Sequence, residues 1–70
     1  MEKYSFPYVV KVVWNEAKDE RLTFLVKEHE FWWNYYDSKR THEDEYQRCS
    51  DDYFPTLTDA EIDAFNRFGF

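Results

Sequence analysis

The chain's 70 residues predict one domain, residues 1–70, or a fragment, and are too few for two independent cores. Its mean hydropathy of −0.91, with no apolar run near the ~18 residues that a membrane span needs, excludes a transmembrane helix and predicts a soluble chain of net charge −6. One Gly and two Pro exclude a linker or low-complexity tract, while seven Phe, six Tyr and three Trp against nine Val, Ile and Leu predict a core built from rings.

The start, Met1-Glu2-Lys3-Tyr4-Ser5-Phe6-Pro7, lacks the basic residues and apolar stretch of a secretory signal, which predicts a cytoplasmic protein. Tyr8-Val9-Val10-Lys11-Val12-Val13-Trp14 is a β-branched run that reads as a strand. Alternation places Tyr8, Val10, Val12 and Trp14 on one face and Val9, Lys11 and Val13 on the other. Pro7 precedes it without removing an interior ladder bond. The polar stretch Asn15 to Glu20 reads as a hairpin loop. Arg21 to Lys27 reads as the second strand, with Leu22, Phe24 and Val26 on one face.

Phe31-Trp32-Trp33-Asn34-Tyr35-Tyr36 fits either a strand or a helix, because five of its six residues are aromatic. Trp and Tyr favour pleated surfaces and Lys27 to Glu30 can form a short turn, so a third strand is expected. It would have Phe31, Trp33 and Tyr35 on one face and Trp32 and Tyr36 on the other. In either geometry a single core layer cannot cover every ring, so part of this segment is expected at the surface or held for a partner.

Thr41-His42-Glu43-Asp44 resembles a helix start, predicting a short helix through about Cys49. Near the end, Thr58-Asp59-Ala60-Glu61 has the form of a capping box, with Leu57 and Ile62 at the staple positions. A helix from Asp59 to Phe68 follows, with Ile62, Phe65 and Phe68 or Ala64 toward the sheet. Gly69 would take the left-handed conformation beyond it, and Phe70 would fold back on Phe65. The nine residues Leu57 to Phe65 resemble the helix entrance of calmodulin-type proteins. The likeness amounts to capping chemistry, and no twelve-residue calcium loop adjoins it, so calcium binding is not implied. The expected fold class is α+β: a small antiparallel sheet of two or three strands packed by a C-terminal helix, with a second short helix before it.

The charge is unevenly distributed. From residue 1 to 40 seven acids meet seven bases, whereas from residue 41 onward eight acids meet only Arg48 and Arg67. Such a surface disfavours direct binding to nucleic acid or to anionic membranes and favours basic protein surfaces. Acids that merely keep an aromatic protein in solution are the plainer alternative.

Little in the chain points to catalysis. Cys49, His29 and His42 stand without a family signature and at spacings foreign to zinc sites, and the one glycine, Gly69, excludes a Gly-rich phosphate cradle. Cys49 has no internal disulfide partner and reads as a small half-buried filler beside Tyr46 and Tyr53. The pairs and triplets of adjacent acids read as a solvated face rather than a hydrolase site. The expectation is a protein that is not an enzyme and carries no cofactor or metal.

The reading that remains is a small acidic protein-binding inhibitor or adaptor. Trp32, Trp33, Tyr35 and Tyr36 would anchor a partner, and Glu43, Asp44, Glu45, Asp51 and Asp52 would steer toward a basic, nucleic-acid-binding surface on a larger protein. In size and composition, though in no motif, such a chain is similar to phage-encoded inhibitors of host enzymes and immune systems, including anti-restriction and anti-CRISPR proteins. That resemblance implies carboxylates acting as a nucleic-acid mimic in a host cytoplasm. The alternative is a self-associating structural module, a homodimer that buries its surplus rings against a second copy.

Overall fold

A computed structural model describes residues 7–38 and 47–70, with Gln47 described by its backbone only. The predicted helix start at Thr41 and the acids Glu43, Asp44 and Glu45 lie outside these residues. The elements run β1 (Tyr8–Trp14), β2 (Glu20–Lys27), β3 (Glu30–Asp37), β4 (Gln47–Cys49) and α1 (Leu57–Phe68). The strands form one antiparallel sheet in the order β1-β2-β3-β4, with α1 packed on one face over β2 and β3. The fold is α+β, with four strands rather than two or three.

Two tight connections set the register. Asn15 closes the first: its side-chain oxygen accepts the Asp19 and Glu20 N–H groups at 3.0 and 2.9 Å, and its amide donates to the Asp19 carboxylate at 2.7 Å. The short polar side chain thus satisfies the loop's backbone locally. The second is the two-residue turn Glu28-His29, both with positive φ (59° and 120°), between the paired residues Lys27 and Glu30. A two-residue hairpin turn demands that conformation to match strand twist. Here it is held by unbroken pairing along β2 and β3 rather than by glycine or asparagine.

The expected alternation in β1 is interrupted. Val9 pairs with Leu25 but Lys11 pairs with Phe24, so Val10 is an extra residue in a bulge. Directly paired residues share a face. Tyr8, opposite Val26, therefore joins Lys11 and Val13 on the helix side, whereas Val9, Val12 and Trp14 lie on the other. The bulge aims Lys11 at the helix, where its ammonium meets the Glu61 carboxylate.

Strand β3 has the expected faces: Trp33 and Tyr35 are buried with Leu22 and Phe24, while Trp32 and Tyr36 point away from the helix. The last residues of the helix predicted to reach Cys49 are strand instead: Gln47, Arg48 and Cys49 pair with Tyr36, Tyr35 and Asn34. The outer edge of β3 offers a row of backbone partners, and completing that ladder outweighs a local helical pattern. Cys49 is exposed rather than a half-buried filler, with its thiol donating to the Asn34 side-chain oxygen.

The helix begins two residues before the predicted start. Its cap is Thr56, whose hydroxyl accepts the Asp59 N–H at 3.1 Å, not Thr58. Both threonines stand three residues before an acid, so capping chemistry alone does not choose between them. Starting at Leu57 brings Leu57, Ala60, Ala64, Phe65 and Phe68 onto the sheet and frees Glu61 for Lys11. Ile62, expected to face the sheet, is 54% exposed. Thr56→Ala is accordingly expected to lower stability by about 1 kcal/mol and Thr58→Ala to change it little, as chemical denaturation of both variants would show. The exit is as predicted: Gly69 has φ 73°, its N–H meets the Phe65 carbonyl at 2.8 Å, and the Phe70 ring stacks on Phe65.

The core is aromatic, as the composition requires. Leu22, Phe24, Trp33, Tyr35, Ala60 and Ala64 are buried, and the two alanines let the helix approach the rings closely. Phe68 stacks on Tyr35 at 3.9 Å between ring centres and meets Trp33 edge to face at 5.2 Å; Phe24 meets Phe65 edge to face at 5.9 Å. The Trp33 indole N–H donates to Asp63 at 2.9 Å, and the same carboxylate oxygen takes the Arg67 guanidinium at 3.2 Å. Among the described residues, no helix is long and apolar enough to cross a membrane.

Candidate functional site: the open sheet face

Among the described residues the helix packs on only one face of the sheet, which leaves the two faces chemically different. Reading partners across the register, the face opposite the helix carries three rows: Val9, Leu25 and Trp32; then Val12, Thr23, Asn34 and Cys49; then Trp14, Arg21 and Tyr36. Among the described residues no element packs on these rows. Val9, Val12 and Trp14 are exposed, and Leu25, Trp32 and Tyr36 are half-buried.

Two ring arrangements are built there. At one end the Arg21 guanidinium lies between Trp14 and Tyr36, 5.6 and 4.8 Å from the ring centres. The buried Nε of Arg21 makes no hydrogen bond, so the flanking π-faces supply what an acceptor otherwise would. At the other end Trp32 meets Tyr53 edge to face at 5.3 Å. Tyr53 is carried there by the segment after β4, which runs along the outer edge of β3. Ser50 N–H bonds the Trp33 carbonyl, and Phe54 exchanges both backbone bonds with Phe31. Asp51 and Asp52 protrude between these two attachments, both exposed, directly before the 62%-exposed Tyr53.

The residues singled out from sequence are divided by this geometry. Trp32, Tyr36, Asp51 and Asp52 are at or beside the open face. Trp33 and Tyr35 are only 1% and 6% exposed, so they build the core and do not reach a partner in this fold. Strand alternation forces the split, since neighbours in β3 must face opposite ways. Glu43, Asp44 and Glu45 lie outside the described residues. Trp14, Arg21 and Tyr53 were not singled out. The alternation of Val12 with Trp14 carries a signal for the first, while the other two depend on cross-strand register and on the path of the chain after β4.

The acidic tail is also divided. Glu61 pairs with Lys11, and Asp63 holds the Trp33 indole and Arg67, so these two carboxylates serve the fold. Asp51, Asp52 and Asp59 remain exposed. A shallow hollow of about 240 Å³ lies between Val13 to Glu16 and Gly69-Phe70, smaller than most small-molecule sites. Glu16 is the one ionisable side chain among its lining residues. No family model, curated protein or solved structure matches this chain.

Proposed function

We propose that the chain is a small acidic protein-binding inhibitor or adaptor, and that the open sheet face is its recognition surface for a basic patch on a larger protein. The observation that carries this reading is the Trp32–Tyr53 ring pair on the sheet face opposite the helix, with the exposed Asp51 and Asp52 directly before Tyr53 in the chain. Rings of this kind hold a partner at small entropic loss, and peripheral carboxylates accelerate encounter and orient it. Asp51 and Asp52 are the described acids of this reading, and Glu43, Asp44 and Glu45 precede them in the sequence, outside the described residues.

A basic surface that ordinarily binds DNA or RNA is the best match. Carboxylates displayed at the surface compete for the lysines and arginines that would otherwise meet phosphates, and binding then blocks the partner's own ligand. This is the mode of action implied by the resemblance in size and composition to phage-encoded inhibitors. A reducing cytoplasm suits a chain whose single cysteine is exposed and unpaired.

The test is retention of source-cell proteins on the immobilised chain, compared with the variant Asp51→Lys, Asp52→Lys, Glu43→Lys, Asp44→Lys, Glu45→Lys. The native chain is expected to retain a basic, nucleic-acid-binding protein at 50 mM salt and to release it by 500 mM, with retention at least tenfold weaker for the folded variant. Equal retention by both chains, or retention indifferent to salt, would reject the acidic surface as the recognition element.

A further inference from the structure

Among the described residues the most exposed apolar strip is not in the middle of the open face but along β1. Val9, Val10, Val12 and Trp14 are 57, 43, 46 and 44% exposed, and β1 pairs with β2 alone among the described residues. An apolar strand seven residues long at a sheet edge is a template for another strand. We propose that the strand it accepts is β1 of a second copy, added antiparallel about a twofold axis, so that two four-stranded sheets join into one of eight strands.

Charge selects this occupant. Two copies of net charge −6 repel at long range, so a seam between them must be free of carboxylates. β1 is such a seam: its one charged residue, Lys11, is turned by the bulge onto the helix side and neutralised by Glu61. A basic partner segment would find no carboxylate on this strand, whereas a second β1 is β-branched and uncharged at the same positions. The antiparallel pair is self-complementary, as a twofold interface requires. A twofold axis normal to the sheet leaves both open faces on the same side, so the dimer displays two Trp32–Tyr53 pairs together.

The size of the seam sets its strength. The exposed parts of these side chains, together with Tyr8, amount to about 400 Å² per copy, on the usual areas of valine and aromatic side chains. Twice that falls short of the roughly 1,200 Å² of a stable complex, so the dimer is weak and depends on concentration. The other sheet edge is β4, three residues long and carrying Arg48, which gives growth beyond a dimer no second template.

Sedimentation of the full chain under reducing conditions tests the proposal, between 5 µM and 1 mM and at 50 and 500 mM salt. The mass is expected to rise from 8.7 kDa toward twice that value, at lower concentration in high salt because screening removes the repulsion between copies. Salt acts here in the opposite direction to its effect on capture of a basic partner, so the failure of one reading is distinguishable from failure of the other. Val12→Lys is expected to weaken association at least tenfold with an unchanged circular dichroism spectrum; should it unfold the chain, Val9→Lys is read in its place. Ile62→Lys, on the outer side of α1, is expected to leave association intact. A monomer at 1 mM, association unaffected by the lysine in β1, or association lost with Ile62→Lys would each overturn the proposal.

Discussion

Trp33→Ala is expected to leave the chain largely unfolded at 25 °C. The residue is 1% exposed, its ring meets Phe68 edge to face, and its indole N–H is satisfied by Asp63. Truncating a buried tryptophan costs about 3–5 kcal/mol through lost burial and the cavity left behind. Against this, a 70-residue domain without a disulfide is stabilised by about 3–5 kcal/mol in all. The two quantities are comparable, so loss of one side chain removes most of the margin. Among the described residues the largest fully buried side chains, Trp33, Phe24 and Leu22, belong to one cluster, so the interior they build has a single centre. Near-ultraviolet circular dichroism and urea denaturation check the expectation. A cooperative transition within 1 kcal/mol of the native chain's would mean that the interior does not depend on this ring. Trp33→Phe keeps a ring but not the indole donor, and is expected to fall between the two.

Trp32→Ala, one residue away, is expected to do the reverse: leave a folded chain that has lost its partner. Trp32 is half-buried on the open face, and its main described ring contact is Tyr53, a pairing worth about 0.5–1.5 kcal/mol. The melting temperature should therefore fall by only a few degrees, since about 1 kcal/mol shifts a domain of this size by roughly 4–8 °C. As a central ring of the proposed recognition surface it is expected to contribute about 2 kcal/mol or more to binding, a loss of about thirtyfold or more in affinity. Retention of the partner by the variant, measured at the salt concentration used for the native chain, checks this. Undiminished retention by a folded Trp32→Ala chain would remove the ring pair from the proposed surface. The contrast between adjacent tryptophans is the informative part, because composition and hydropathy treat them alike.

That contrast also marks the boundary between what was readable along the chain and what was not. Strands β1 to β3, the final helix and its Gly69 exit follow from alternation, β-branched and aromatic content and capping chemistry, all carried by residues within a few positions of one another. The aromatic character of the core and the assignment of Trp33 and Tyr35 to one face and Trp32 and Tyr36 to the other follow from the same local rules. Which of those faces is covered does not, because it depends on where a helix more than twenty residues later comes to rest. The cap moved from Thr58 to Thr56 for a comparable reason: two starts were locally equivalent, and the sheet selected the one that buries Leu57 and brings Glu61 to Lys11.

The candidate surface shows the division most plainly. Its aromatic excess and its acidic tail are properties of the amino-acid sequence. Their arrangement is tertiary: a bulge at Val10 turns Lys11 away from the open face, register sets Arg21 between Trp14 and Tyr36, and the segment after β4 carries Tyr53 onto Trp32. The strand Gln47–Cys49 exists because the edge of β3 offers it backbone partners, and three residues have no such preference by themselves. Short-range chemistry thus determined which elements form and what they are made of. Long-range pairing, which satisfies backbone groups and buries rings between segments distant in sequence, decided which of those rings are left to meet another molecule.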